Sequence, residues 1–171
     1  EDAPGNSSYI SRTYTFGKQF YLRTLAYYAI ATNDNVALNL LVNRIADMDY
    51  ILDRVNAISC FVNYKESTIY TNNLGATVKG PSRSSCYDMV NYAKTLYFAY
   101  KNNPDVYQSL INDMSVSTIP TGFAVGFGED ALILHVAGRS TEFNAYTDLA
   151  IIDDKEPIVI CVYCECASAE R

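Results

Sequence analysis

The sequence predicts an α+β fold, an α/β sandwich in which a helical lobe lies beside an antiparallel sheet flanked by helices. Most of residues 19–113 repeat apolar side chains at three- and four-residue steps, which is the period of a helix. Residues 131–166 contain three strand-length apolar runs whose connections are too short for crossover helices, so they form an antiparallel meander. We therefore expect one domain over residues 1–171, which residues 1–18 enter as a polar lead-in loop.

The composition excludes several classes of function. The net charge is −6, the pI is about 4.7 and there is no basic cluster, so we expect neither nucleic-acid binding nor attachment to an anionic membrane. No apolar run approaches the roughly 20 residues that cross a bilayer. The polar start Glu1–Gly5 resembles neither a signal peptide nor an anchor, so we expect no transmembrane segment.

The first two helices enclose a polar triplet, Asn33-Asp34-Asn35. Apolar residues recur at helical spacing on both sides of it: Leu22, Leu25, Ala26, Ala29 and Ile30 before, and Leu38, Leu41, Val42 and Ile45 after. Asp and Asn are good N-cap residues, so one interpretation of the triplet is simply the start of the second helix.

More helices follow, separated by a long irregular segment. A third helix around Ile51 opens at Asp47 or Ala46, and residues 59–83 then lose periodicity, which is typical of a functional loop or a surface excursion. Ser84 or Ser85 caps a strong helix, with Asp88 three residues after Ser85. Asn103-Pro104 begins another helix, because proline is tolerated at the first helical position.

The predicted strands are Ala131–Arg139, Tyr146–Ile152 and Pro157–Cys166. Ile158 to Val162 are apolar at consecutive positions, which indicates that both faces of the sheet are covered and that helices flank it on each side.

The cysteines and the single histidine give no metal or catalytic site. The five cysteines are Cys60, Cys86, Cys161, Cys164 and Cys166, so at least one lacks an internal partner, and the disulfide pairing stays open. In a strand Cys161 would face away from Cys164 and Cys166, so we expect buried or strand-end thiols, no metal and no cofactor. His135 lies in an apolar run and is predicted to be a hydrogen-bonded sheet residue.

The arrangement of a helix, a polar triplet and a second helix, with the triplet Asn33-Asp34-Asn35, resembles the second motif of the class A β-lactamases and related penicillin-binding serine hydrolases. In that family the triplet is Ser-Asp-Asn. Its Ser helps to move protons, and its Asn amide holds the amide of the substrate. Asp34 and Asn35 match the motif, whereas Asn33 has no titratable hydroxyl.

The order of later segments extends the resemblance from about Tyr14 to Cys166. Leu134–Thr141 resembles the strand that carries the K-T-G motif, and Ser84–Met89 is similar to the family's capped helix. Asp148–Ile152 and Pro157–Ile160 look like the next two strands. The resemblance implies a β-lactamase/transpeptidase-like fold whose N-terminal part lies outside the chain. A fragment, a complementing protein chain or a homodimer would each account for that.

The catalytic motifs depart from the family pattern. Placing Arg139-Ser140-Thr141 on K-T-G keeps a cation and a hydroxyl but replaces the glycine, whereas an ungapped alignment on Asp148 gives Gly138-Arg139-Ser140 and loses the cation. No serine is followed three residues later by lysine, and Glu66 and Asn72 have the wrong spacing for the Glu-x-x-x-Asn loop. We therefore assign no catalytic residue.

Three functions follow from these observations. The favoured hypothesis is a catalytically degenerate domain, not an enzyme, at the bacterial cell surface or outside the cell. It would bind a peptide or cell-wall-type ligand, or a protein partner. The expected ligand contacts are Asn33, Asn35, Arg139, Ser140 and Thr141. The alternatives are an active β-lactamase or D-Ala-D-Ala peptidase whose Ser-x-x-Lys segment lies upstream or on another chain, and a structural or interaction domain.

Overall fold

The computed structural model describes residues 8–45, 48–60, 62, 84–118, 121–123, 127, 131–140 and 144–165. The helices in these ranges are α1 (Tyr9–Thr13), α2 (Leu22–Ala31), α3 (Asn35–Ile45), α4 (Met48–Asn56), α5 (Cys86–Asn102) and α6 (Pro104–Ser115). The strands are β1 (Leu132–Ser140), β2 (Ala145–Asp153) and β3 (Ile158–Glu165). None of the helices in the described ranges is long and apolar enough to span a bilayer.

The lead-in loop expected over residues 1–18 contains the helix α1. The Ser8 hydroxyl caps this helix by accepting a hydrogen bond from the Ser11 N–H at 3.1 Å. A five-residue helix is not stable by itself, and tertiary contacts supply its stability. Ile10 is buried against α2 and α3 in a cluster with Leu25, Ala29 and Ala37. The loop prediction was wrong here because these contacts leave no periodic signal in so short a segment.

Helices α5 and α6 begin where the sequence predicted. Ser85 is the N-cap of α5, and its hydroxyl accepts a hydrogen bond from the Asp88 N–H at 3.1 Å. Pro104 is the first residue of α6, directly after Asn103, which ends α5. Both predicted helix starts are therefore confirmed.

The three strands form an antiparallel sheet in the order β1-β2-β3. Leu134 pairs with Ile151 across β1 and β2, and Leu149 pairs with Cys161 across β2 and β3. The predicted meander and the α+β class are confirmed, with strand ends that each differ by one residue from those expected.

The main core lies on one face of this sheet. The buried strand residues Leu134 and Ile151 pack against Ala93, Tyr97 and Ile111 of α5 and α6. Helix α2 is joined to α6 by a bidentate ion pair in which Arg23 donates to both carboxylate oxygens of Asp113 at 2.6 Å. Helices α5 and α6 thus share a core with the sheet, and α1, α2 and α3 enclose a second cluster around Leu25.

The opposite face of the sheet is buried at its centre and partly exposed along β3. His135, Ala150 and Ile152 are buried there, but Ile158 and Val162 of β3 are 46% and 39% exposed. In the described part of the chain β3 is the last strand of the sheet. The expected helical cover is therefore present on the face that packs against α5 and α6, whereas on the other face β3 is partly exposed within the described part of the chain.

Candidate functional site

The turn between α2 and α3 is built around a left-handed residue. Asn33 has φ of 51°, a conformation that asparagine tolerates better than most residues and that often ends a helix. The Tyr28 carbonyl of α2 accepts hydrogen bonds from the Thr32 N–H at 3.3 Å and the Asp34 N–H at 3.0 Å. These bonds fix the direction in which the chain leaves α2 and enters α3.

Asp34 supports this turn from inside the protein. It is 1% exposed, and its carboxylate accepts hydrogen bonds from the N–H groups of Val36 at 2.9 Å and Ala37 at 3.0 Å. The same carboxylate accepts from the Ser8 hydroxyl at 2.9 Å and the Ile10 N–H at 3.0 Å. The helix-start interpretation therefore holds for Asp34, which also anchors α1. The sequence pattern predicted that Asp34 caps α3, but it did not predict the hydrogen bonds from Asp34 to α1.

Two tyrosines join the end of α1 to α2. The hydroxyls of Tyr14 and Tyr28 are 3.4 Å apart. This hydrogen bond, together with burial, raises the pKa of Tyr28 to about 12. Tyr28 is therefore neutral near pH 7 and does not act as a base beside the turn.

The turn is connected to the sheet through the segment after α6. The carbonyl of Ala31, the last residue of α2, accepts from the Thr118 N–H at 2.7 Å and from the Thr118 hydroxyl at 3.1 Å. Helix α6, which ends three residues before Thr118, packs on β1. This arrangement fixes the end of α2 relative to the core that includes β1.

The other predicted ligand contacts lie at the end of β1. Arg139 pairs with Tyr146 and Ser140 with Ala145 in the β1–β2 register. The side chains of Arg139 and Ser140, and Thr141 as a whole, lie outside the described residues. Their contact with a ligand carboxylate stays a prediction.

Gly138 gives a third possible alignment for the K-T-G motif. A Cβ atom at this position would lie 2.8 Å from the Thr147 hydroxyl, so β1 accommodates glycine here at a close approach of its neighbour strand. If Gly138 is the glycine of the motif, Val136 and Ala137 occupy the positions of its cation and hydroxyl. In that register neither side chain can carry out the motif's chemistry.

A buried polar pair on the opposite face of the sheet involves the only histidine. His135 Nδ1 lies 3.4 Å from Asp148 Oδ1, and the Thr121 hydroxyl donates to Asp148 Oδ2 at 2.7 Å. Burial, and then the charge of Asp148, raise the pKa of Tyr146. His135 is thus a buried sheet residue beside a carboxylate. Within the described ranges, no three His, Cys, Asp or Glu side chains converge as metal ligands would.

A sequence profile of the beta-lactamase enzyme family matches residues 1–171. The chain belongs to the beta-lactamase enzyme family. The resemblance inferred from the triplet and the strand order is therefore confirmed. A search of curated protein sequences finds no match for this family member.

Solved beta-lactamases share the fold at low sequence identity. A variant of the TLA-1 extended-spectrum beta-lactamase superposes with a TM-score of 0.76 at 17% identity, over 99% of this chain and 64% of its own. A beta-lactamase from Chitinophaga pinensis gives 0.71 at 19%, over 95% and 63%. One from Streptosporangium roseum gives 0.65 at 18%, over 91% and 59%. The chain thus spans about three fifths of the length of these beta-lactamases.

Proposed function

We propose that this member of the beta-lactamase family binds its ligand reversibly and is not acylated by β-lactams. The observation that supports this proposal is Asn33, which has a left-handed conformation at the first position of the triplet. Serine acyl transfer requires proton transfer to the leaving nitrogen, and a carboxamide does not titrate near neutral pH. This reason applies whether or not a Ser-x-x-Lys segment exists elsewhere in the protein.

The proposed ligand is a peptide or a cell-wall-type molecule that lies along the outer edge of β1. Strand β1 is at the end of the described sheet, and an extended peptide can pair with the backbone groups of an edge strand. In this arrangement the Asn35 amide binds a peptide amide, and Arg139, Ser140 and Thr141 bind a carboxylate. A location at the bacterial cell surface, where such ligands occur, is part of the same proposal.

Calorimetry of the full-length protein with a peptide ending in D-alanyl-D-alanine tests this proposal. We expect reversible binding that Asn35→Ala and Arg139→Ala each weaken by about tenfold, since a hydrogen bond to a charged or amide group contributes roughly 1–3 kcal/mol. The matched controls are Asn112→Ala on α6 and Arg54→Ala on α4, both exposed. Equal affinity in all five proteins would contradict the assigned contacts. Absence of binding to the unaltered protein would favour a structural or interaction domain.

An active serine enzyme is the second candidate. It is favoured by one observation, that the chain covers only 59% to 64% of the compared beta-lactamases, so a catalytic serine could lie on a part that does not match. Sustained hydrolysis of a chromogenic cephalosporin by the full-length protein would establish this candidate and overturn the first.

A further inference from the structure

Two cysteines lie on the elements that pack together where α5 covers the sheet. Cys86 is the first residue of α5, and Cys161 lies in the middle of β3 opposite Leu149. Cys161 shares its face of the sheet with Val159, which packs against the core that includes α5. Val90, one helical turn after Cys86, lines a cavity together with Val159, two residues before Cys161 on the same face of β3. Both cysteines are free thiols of intermediate exposure.

We propose that Cys86 and Cys161 form a reversible disulfide that fastens the start of α5 to β3. This proposal is independent of the proposed ligand. A disulfide needs Cα atoms about 4.4–6.8 Å apart, a spacing that residues on the facing surfaces of a packed helix and strand can reach. Helix α5 and strand β3 both pack into the core, so the fold sets the distance between them.

The oxidation balances as a thiol–disulfide exchange with a small disulfide such as oxidised glutathione. The Cys86 thiolate attacks one glutathione sulfur, which forms a mixed disulfide and releases the first glutathione thiolate. Cys161 then loses its proton to solvent and attacks the Cys86 sulfur, which releases the second. Burial, followed by the interaction with Cys86, raises the pKa of Cys161 to about 12, so the first attack comes from Cys86.

The bond would also fix a neighbouring segment. Asp88, in the first turn of α5, accepts hydrogen bonds from the Cys60 N–H at 2.7 Å, the Val62 N–H at 2.9 Å and the Ser59 hydroxyl at 3.1 Å. Fastening the first turn of α5 to β3 therefore also fastens the chain where the long connection between α4 and α5 begins.

The test equilibrates the full-length protein in glutathione buffers of increasing oxidised fraction, followed by acid quenching, alkylation and peptide mass mapping. We expect a Cys86–Cys161 crosslink and a rise in Tm of roughly 5 to 15 °C, because a disulfide that closes a long loop restricts the unfolded chain. The rise should be absent in Cys86→Ala and in Cys161→Ala. It should persist in the matched control Cys60→Ser, whose exposed thiol lies outside the pair.

Three results would overturn the proposal. The first is alkylation of both thiols even in the most oxidising buffer. The second is a crosslink that joins Cys161 to Cys60 or Cys164 instead. The third is a Cys86–Cys161 crosslink that leaves Tm unchanged, since the helix start would then not be fastened.

Discussion

At the scale of single residues, Asp34 supports the turn from inside the protein. Its buried carboxylate satisfies backbone N–H groups of two helices, α1 and α3. A buried carboxylate with this many donors serves structure.

Replacement of Asp34 by alanine should lower the free energy of unfolding by about 3 kcal/mol. The change removes an N-cap, which contributes roughly 0.5–2 kcal/mol, and leaves buried donors unpaired at about 1–3 kcal/mol. Urea denaturation followed by circular dichroism measures the difference. The control Asp53→Ala, at an exposed position on α4, should change it by less than about 0.5 kcal/mol. Similar values for both variants would show that the Asp34 network contributes little.

Asn33 should tolerate glycine and reject a β-branched residue. Because its φ is 51°, Asn33→Val should destabilise the protein by about 1–2 kcal/mol, whereas Asn33→Gly should stay within about 0.5 kcal/mol of the unaltered protein. Thermal unfolding of the two variants gives the comparison. A valine variant as stable as the glycine variant would contradict the left-handed turn.

At the scale of elements, helix α5 is fastened at both ends. Asp88 holds the segment around Cys60 at its start, and near its end Tyr97 and Lys101 donate to Asp153 of β2 at 2.7 and 2.9 Å. The helix therefore positions the sheet at one end and the long connection at the other.

The contacts of Asp153 predict a pH-dependent contribution to stability. Burial acts to raise the pKa of Asp153, but the hydrogen bonds from Lys101 and Tyr97 outweigh it and hold the pKa below 3.8. A folded pKa below the unfolded value gives stability that is present above about pH 4 and is lost as the pH falls through the folded pKa.

Asp153→Asn should therefore cost about 1–2 kcal/mol at pH 7, and this cost should shrink below pH 4. Urea denaturation of both proteins from pH 3 to pH 7 measures the difference. A cost that is constant across this range would contradict the account. Tyr97→Phe should lose part of the same stability, because it removes one of the two donors.

Loss of the Asp88 carboxylate should release the start of the long connection. In Asp88→Ala the N–H groups of Cys60 and Val62 lose their acceptor, so limited proteolysis should cut near residues 59–62 several times faster. The control Asp105→Ala, on the exposed first turn of α6, should leave that cleavage rate unchanged. Equal rates in both variants would show that Asp88 does not hold the segment.

At the scale of the whole molecule, the helices and strands with strong periodicity could be predicted, and contacts between distant residues could not. Helices α5 and α6 carry apolar stripes and caps, so their starts were found. Helix α1 depends on Ile10 and on Ser8 bonding to Asp34, which lies 26 residues away. The pairing of Cys86 with Cys161 depends in the same way on how α5 packs across β3.

Only the local part of the candidate site could be predicted from the sequence. The triplet is a local pattern, so both its position and its departure at Asn33 were visible. The close approach of Thr147 to Gly138 is a contact between two strands, and so the alignment Val136-Ala137-Gly138 could be considered only once the sheet register was known.

The absence of acylation is the central claim, and intact-mass spectrometry tests it most directly. The full-length protein would be incubated with excess benzylpenicillin and measured over time, with an acylating class A beta-lactamase variant that traps the adduct as the positive control. We predict that the protein mass stays unchanged while the control gains one penicillin. A stoichiometric gain of one penicillin by this protein would contradict the claim.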